Sequence, residues 1–277
     1  VLRGVWLRDQ VIHHSSRGDA MFASPGSIAF QIGPLAVRWY GLLIAAGVML
    51  GTTLAHREAL RRGQDPDKLL NLIVVAVLSA LLGARLYYVL FNWDYYGTQL
   101  SKVFAIWEGG LAIHGGLIAG ALATVLYCRA AGLSVLVTMD IMAPSVAIGQ
   151  GIGRWGNFFN QEAFGTPTDL PWRLYIDPYH RPPTLKSFEY FHPTFLYESL
   201  WNLMVFCILW FALRKRLADR PGALTLAYLG LYSLGRFFVE GLRIDSLMLG
   251  NLRAAQVVSL LLVAVSGIGL ALLSRRK

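Results

Sequence analysis

The chain has 277 residues, 55% of them hydrophobic and only 15% charged, with a mean hydropathy of +0.49. That charge content is well below the roughly one quarter typical of soluble domains, so a water-soluble globular protein is excluded and the question becomes how often the chain crosses a bilayer. The net charge of +9 does not indicate nucleic acid, because the basic residues form short clusters between apolar runs, as membrane topology produces.

Residues 1–20 are polar and basic and lack the apolar centre of a signal peptide. Met21 reads as the native start, 1–20 as upstream or cloning-derived sequence, and 21–277 as a single integral membrane domain. Residues 22–38, with Pro25, Gly33 and Pro34, read as an irregular or short-strand lead-in. Seven apolar segments follow, at about 39–55, 69–90, 111–127, 135–152, 195–213, 223–239 and 254–273. Each is near the roughly 17–25 residues a spanning helix needs, and the near absence of polar faces excludes buried helices of a soluble protein. Cys128 and Cys207 lie in or beside these segments without pairing or zinc spacing, so neither a disulfide framework nor a metal site is expected.

Alternate loops carry the cations: Arg57, Arg61, Arg62 and Lys68 after segment one, Arg129 after segment three, Arg214, Lys215, Arg216 and Arg220 after segment five, and Arg275-Arg276-Lys277 at the tail. The positive-inside rule then predicts an all-α polytopic protein of about seven transmembrane helices, N-terminus out and C-terminus in. The one long loop, about 154–194, falls outside; its prolines and aromatics predict an ordered interfacial cap.

This orientation places the intramembrane polar residues by depth. Tyr40 opens segment one at its outer end, Arg85 lies near the outer end of segment two, and Ile113-His114-Gly115-Gly116 opens segment three. Tyr197 and Glu198 stand in the first turns of segment five. Segment six ends in Arg236, Glu240 and Arg243, whose spacing of four and three aligns them on one helical face. Asp140 is the exception, toward the inner end of segment four. Ionisable groups in a membrane are costly and face a bundle interior or an aqueous cavity; so many at one level predict a shared polar cavity opening toward the outer leaflet.

Segment four runs into Gly149-Gln150-Gly151-Ile152-Gly153-Arg154-Trp155-Gly156-Asn157-Phe158-Phe159-Asn160-Gln161-Glu162-Ala163-Phe164-Gly165. Glycines allow close approach of backbones and ligands at a cost in helix stability, and fork-shaped or amide side chains grip oxyanions and carbonyls by directed hydrogen bonds. Arg154 and Asn157, three apart, would share a helical face. Arg85, Arg154 and Arg236, with Arg243 beside them, make a cationic site suited to phosphate, and a cavity among helices suits an anionic phospholipid headgroup. Competing structural readings are a snorkelling Arg154, an Arg236–Glu240 ion pair, and a satisfied His114 at a small-residue helix contact. Competing functions are an anion transporter or channel, a lipid-binding structural subunit and an intramembrane protease. The sequence lacks the paired broken segments of the first. It also lacks a His-Glu-x-x-His run, a Gly-x-Ser-x-Gly elbow and a second aspartate at the depth of Asp140.

Six motifs resemble those of the bacterial prolipoprotein diacylglyceryl transferase family, in its order and over about 28–273: Arg38-Trp39-Tyr40-Gly41, Gly83-Ala84-Arg85-Leu86, His114-Gly115-Gly116, Gly153-Arg154-Trp155-Gly156-Asn157-Phe158-Phe159-Asn160-Gln161-Glu162, His192-Pro193-Thr194-Phe195-Leu196-Tyr197-Glu198, and Gly235-Arg236-Phe237-Phe238-Val239-Glu240-Gly241-Leu242-Arg243. Arg38 stands where relatives can have a histidine and is assigned no role; residues 1–20 match nothing in the family. The resemblance carries over functional positions at Tyr40, His114, Asp140, Arg154, Asn157, Glu162, Gly165, Tyr232, Arg236 and Glu240. It implies a plasma-membrane enzyme, its active site toward the outer leaflet, that moves the diacylglyceryl group of phosphatidylglycerol to the signal-peptide cysteine of lipoprotein precursors. No cofactor, metal or nucleic acid is implied, and a monomer is expected. Phosphatidylglycerol would meet Arg154, Asn157, Arg236, Glu162, Glu240, Arg85, Tyr232 and Gly165, with Asp140, Tyr197, Glu198 and Arg243 in supporting roles. Catalysis would fall to His114, Arg154, Arg236 and Tyr40; whether the base is His114, Tyr40 or neither stays open.

Overall fold

The computed structural model describes residues 21–33 and 35–275, so the expectation for residues 1–20 and the last two cations of the tail fall outside the described residues. The chain is predominantly helical: α1 (Trp39–Arg61), α2 (Pro66–Phe91), α3 (Ile113–Ala131), α4 (Val135–Asn160), α5 (Thr194–Cys207), α6 (Ala223–Glu240) and α7 (Ala254–Arg275). A π-helical turn, Ile208–Leu213, continues α5. Six helices are long and apolar enough to cross a membrane, namely α1 to α4, α5 with its extension, and α7. This is the architecture of a polytopic membrane protein. The remaining expected span, α6, is an 18-residue helix whose last turns hold Arg236 and Glu240, and it is not among the six.

Local chemistry sets several ends. Asp65 caps α2, accepting from the backbone N–H groups of Asp67 at 2.9 Å and Lys68 at 3.2 Å, and Pro66 occupies the first turn, where its missing N–H costs nothing. Gly132, left-handed at φ 70°, closes α3. Two ends differ from expectation. α1 runs on to Arg61 because Glu58 pairs with both Arg61 and Arg62 along its last turn, the latter at 2.9 Å. α4 runs through the glycine-rich stretch to Asn160, so the connection to α5 begins only at Gln161. Two of those glycines, Gly151 and Gly156, are packing notches. A Cβ on Gly151 would touch Leu203 at 3.4 Å, and one on Gly156 would lie 2.3 Å from the Tyr40 ring. Interhelical packing thus offsets the low helix propensity of the run.

The described chain forms two compact units. One comprises the described residues up to Gly51 and from Ala143 onward. Its helical core joins Ala143, Ala147, Val205, Leu209, Leu224, Ala227 and Tyr228. The 161–193 connection is an ordered cap over a second core of Phe158, Phe164, Leu174, Ile176, Phe191 and Phe195. Its small sheet has β1 (Phe22–Ala23) parallel to β4 (Leu174–Tyr175), which pairs antiparallel with β5 (Tyr190–Phe191). A hairpin, β2 (Ile28–Ile32) and β3 (Leu35–Arg38), leads into α1, and another, β6 (Met248–Leu249) and β7 (Leu252–Arg253), leads into α7.

The other unit is Thr52–Met142. Here α2 and α3 cross backbone to backbone: a Cβ on Gly115 would sit 2.3 Å from the Gly83 carbonyl oxygen. Small residues at such a crossing are how membrane helices gain close van der Waals packing. Ala55, Ala59, Leu69, Leu72, Cys128 and Ile141 form its buried apolar cluster.

Candidate functional site

Three arginines of the first unit converge on one carboxylate. Glu198, in the first turns of α5 and only 5% exposed, meets Arg154 Nε of α4 at 2.6 Å, Arg236 Nη1 of α6 at 3.0 Å and Arg243 Nη1 at 3.5 Å. Arg236 Nη2 also reaches Glu240 Oε2, one turn on, at 2.5 Å. Arg243 stands just past the end of α6 and pairs with Asp245 through Nη2 at 2.7 Å. Burial pushes the Asp245 carboxyl up, but the hydrogen bonds and charge of Arg243 outweigh it and hold the group below the usual carboxylate range. Ser246 donates to Glu240 Oε1 at 2.6 Å, and Arg253 donates to the Glu240 carbonyl. The cluster therefore sets four guanidinia against three carboxylates. Arg154 and Arg236 keep 24% and 19% of their side-chain surface exposed, against 12% for Arg243. Of the three arginines around Glu198, these two are the more exposed.

Beside this cluster the end of α4 supplies amides. Glu162 Oε1 accepts from Asn157 Nδ2 at 3.0 Å and Asn160 Nδ2 at 3.2 Å. Tyr40 lies against Gly156, which places its ring on the turn of α4 that carries Asn157. Tyr232 stacks on Tyr228 and lines a small void with Glu198, Trp201 and Arg236. Gly165 has a backbone function: it bridges to Arg243, donates to the His192 carbonyl at 3.0 Å, and a Cβ there would lie 2.7 Å from His192 Cβ. The cap is thereby stitched to the segment that bears Arg243. Tyr197 takes a hydrogen bond from Trp172 Nε1 at 2.8 Å and lies 3.2 Å from His192 Nδ1, an imidazole whose pKa burial lowers.

Three expected site residues belong to the second unit. Arg85 is buried and its donors go to main-chain carbonyls: Val103 at 2.8 Å, Gly109 at 2.7 Å, Gly110 at 2.9 Å and Lys102 at 2.6 Å. At most one N–H is left over, and the guanidinium clasps the loop leading to α3. His114 is exposed in the first turn of α3, its ring 6.2 Å from that of Tyr87. Asp140, fully buried, is 3.7 Å from Arg62 Nη1, in a group with Glu58.

Residue type and depth pointed to the arginines, but not to Glu198 as their common partner, nor to Asp245, Ser246 and Arg253. Depth along each segment is readable from topology; which way a helix turns its polar residue is not. Among the described residues no cluster of metal-ligating side chains occurs.

The family model described as prolipoprotein diacylglyceryl transferase matches residues 27–272 of this chain. The chain is similar to proteins named phosphatidylglycerol–prolipoprotein diacylglyceryl transferase. The one from a Nostoc species is 52% identical over 261 residues, covering 93% of this chain and 92% of the relative. That of Gloeobacter violaceus is 52% identical over 256 residues, covering 92% and 95%. That of Parasynechococcus marenigrum is 50% identical over 269 residues, covering 93% and 97%.

Proposed function

Because the chain belongs to the prolipoprotein diacylglyceryl transferase family, we propose that the cluster around Glu198 is the phosphate end of a transferase site for phosphatidylglycerol. The cysteine sulfur of a lipoprotein precursor attacks the glyceryl carbon next to the phosphate oxygen. A C–S bond forms, the C–O bond breaks with its electrons on oxygen, and glycerol phosphate leaves. The phosphodiester monoanion becomes a monoester approaching a dianion, so charge grows on the leaving group. Arg154 and Arg236 then bind the transition state more strongly than the ground state, which is what accelerates the step. The convergence of Arg154, Arg236 and Arg243 on one carboxylate carries this reading. Glu198 and Glu240 hold the guanidinia; the phosphate competes for their open edges, and bidentate geometry favours arginine for this task.

Asn157, Glu162 and Tyr40 line the same end of α4 and are assigned to the headgroup glycerol and its approach, with Tyr232 at the void beside Arg236; Gly165 and Tyr197 hold the cap against this end. The thiol proton leaves to His114 or Tyr40, or directly to solvent from a thiolate favoured by the positive field. Arg85, committed to four carbonyls, is read as ordering the loop before His114; Asp140 is read as a structural partner of Arg62.

We place residues 21–277 in one integral membrane domain, since both unit boundaries fall inside helices, α1 and α4, rather than in linkers. α6 is the seventh span, its charged end compensated by Glu198 and Arg253. The N-terminus is outside and the C-terminus inside, with cap and site toward the outer leaflet of a bacterial plasma membrane, and the protein acts as a monomer without cofactor. The test is incubation of purified protein in detergent with phosphatidylglycerol and a peptide bearing the acceptor cysteine. Release of glycerol phosphate together with a thioether product is expected; lipid binding without either product would leave only a lipid-binding subunit.

A further inference from the structure

We infer that Gln161 is a positioning residue of this site, one that reaches no substrate but fixes Glu162 and Asn157; the inference rests on the reading above that those two groups meet the headgroup. α4 ends at Asn160, and the chain then turns through two residues with positive φ, Gln161 at 53° and Ala163 at 56°. Residues with side chains hold that conformation only where their surroundings over-determine it.

Both are pinned, Gln161 by the cap and Ala163 by the first residue of α5. Gln161 is 6% exposed, and its amide is used at both ends: Nε2 donates to Asp177 Oδ2 at 2.5 Å, and the Asp177 backbone N–H donates to Oε1 at 2.7 Å. Asp177 directly follows Ile176, which is fully buried in the cap core. Thr194 Oγ1 donates to the Ala163 carbonyl at 2.6 Å. Glu162 is therefore the one residue between two anchored neighbours, its own N–H bonded to the Asn157 carbonyl at 3.1 Å and its Oε1 taking Asn157 and Asn160. The ordered core of the cap is thus coupled, through a single amide–carboxylate pair, to the direction in which Glu162 points. Near a reacting centre a misplacement of about 1 Å costs on the order of 10² in rate, so this coupling reaches turnover although Gln161 itself does not.

The pair can be inverted chemically. Gln161→Glu sets two carboxylates against each other, and turnover should fall on the order of 10²-fold. Asp177→Asn keeps an acceptor oxygen for Gln161 and should be near wild type. The double variant Gln161→Glu/Asp177→Asn restores the reciprocal bonds in the opposite sense, with the asparagine amide donating to the glutamate, and should recover most of the lost kcat/KM for phosphatidylglycerol. Failure of the double variant to recover overturns the inference. So does a Gln161→Glu protein that melts earlier but turns over normally, since that is a purely structural role. Glu162→Gln is the separating control. If it is inactive while the double variant fails, the positioning claim alone is wrong; if it is fully active, the headgroup reading fails and there is nothing for Gln161 to position.

Discussion

At the scale of single residues, the arginines were legible and their partner was not. An arginine inside an apolar segment is conspicuous, because hydrocarbon tolerates it only with compensation. Glu198 carries the same signal, but its three-way contact depends on how α4, α5 and α6 face each other. Arg85 shows the converse: a conspicuous charge whose donors serve main-chain carbonyls. Arg154→Ala should abolish turnover while the protein still inserts and folds. Arg154→Lys should rescue poorly, because an ammonium cannot reproduce the planar fork; steady-state kinetics with phosphatidylglycerol decides, and full activity of the lysine variant would mean a point charge suffices. The proton route is separable in the same way. If His114 takes the thiol proton, His114→Gln lowers the single-turnover rate by about 10²–10⁴ while lipid binding survives. If Tyr40 serves, the loss appears in Tyr40→Phe; if both variants keep near-wild-type rates and pH profiles, the arginine field alone supplies the thiolate.

At the scale of elements, hydropathy located the helices and missed their ends, because ends are set by tertiary partners. α4 persists through its glycines since neighbours fill the notches they leave. Two close approaches at glycines, one in α3 and one in α4, predict opposite phenotypes. A methyl at Gly115 meets the Gly83 carbonyl, backbone that cannot give way, so Gly115→Ala should lower the melting temperature, with an overpacking cost of about 1–3 kcal/mol. A methyl at Gly156 meets the Tyr40 ring, which is 40% exposed and can rotate aside. Gly156→Ala should therefore keep most stability and lose activity, as thermal melts and kinetics on the same preparations would reveal. The prolines and aromatics of the cap foreshadowed its order but not its strands; their pairing joins positions as remote as Phe22 and Leu174, which local pattern cannot specify. Its acid sensitivity follows from His192. Burial lowers the folded pKa, so the unfolded chain binds a proton first as pH falls through about 6.5. Stability is full above that value and is lost below it. The melting temperature should drop between about pH 7.5 and about pH 5.5, and less steeply in His192→Asn.

At the scale of the whole molecule, topology joins the charge pattern to the site. The C-terminal end of α4, the N-terminal end of α5 and the C-terminal end of α6 meet at Glu198, Arg154 and Arg236. Three successive helices whose ends meet in that order must alternate in direction, so the loop between α5 and α6 lies at the opposite end from the site. That loop holds Arg214, Lys215, Arg216 and Arg220, the densest basic cluster between two helices. The proposed orientation, with that loop in the cytoplasm by the positive-inside rule, therefore puts the site on the outer side. This route to the proposed orientation uses side-chain contacts as well as loop charge, and it requires α6, which is not among the six helices apolar enough to span, to be a seventh crossing. Reporter fusions after Arg62 and after Lys215 should read cytoplasmic, and a fusion near Pro182 in the cap should read external. A cytoplasmic signal at Pro182 would set the arginine cluster at the inner leaflet. An acceptor thiol presented at the outer leaflet would then be a membrane thickness of roughly 30 Å away, and the outer-leaflet site proposed above would be wrong.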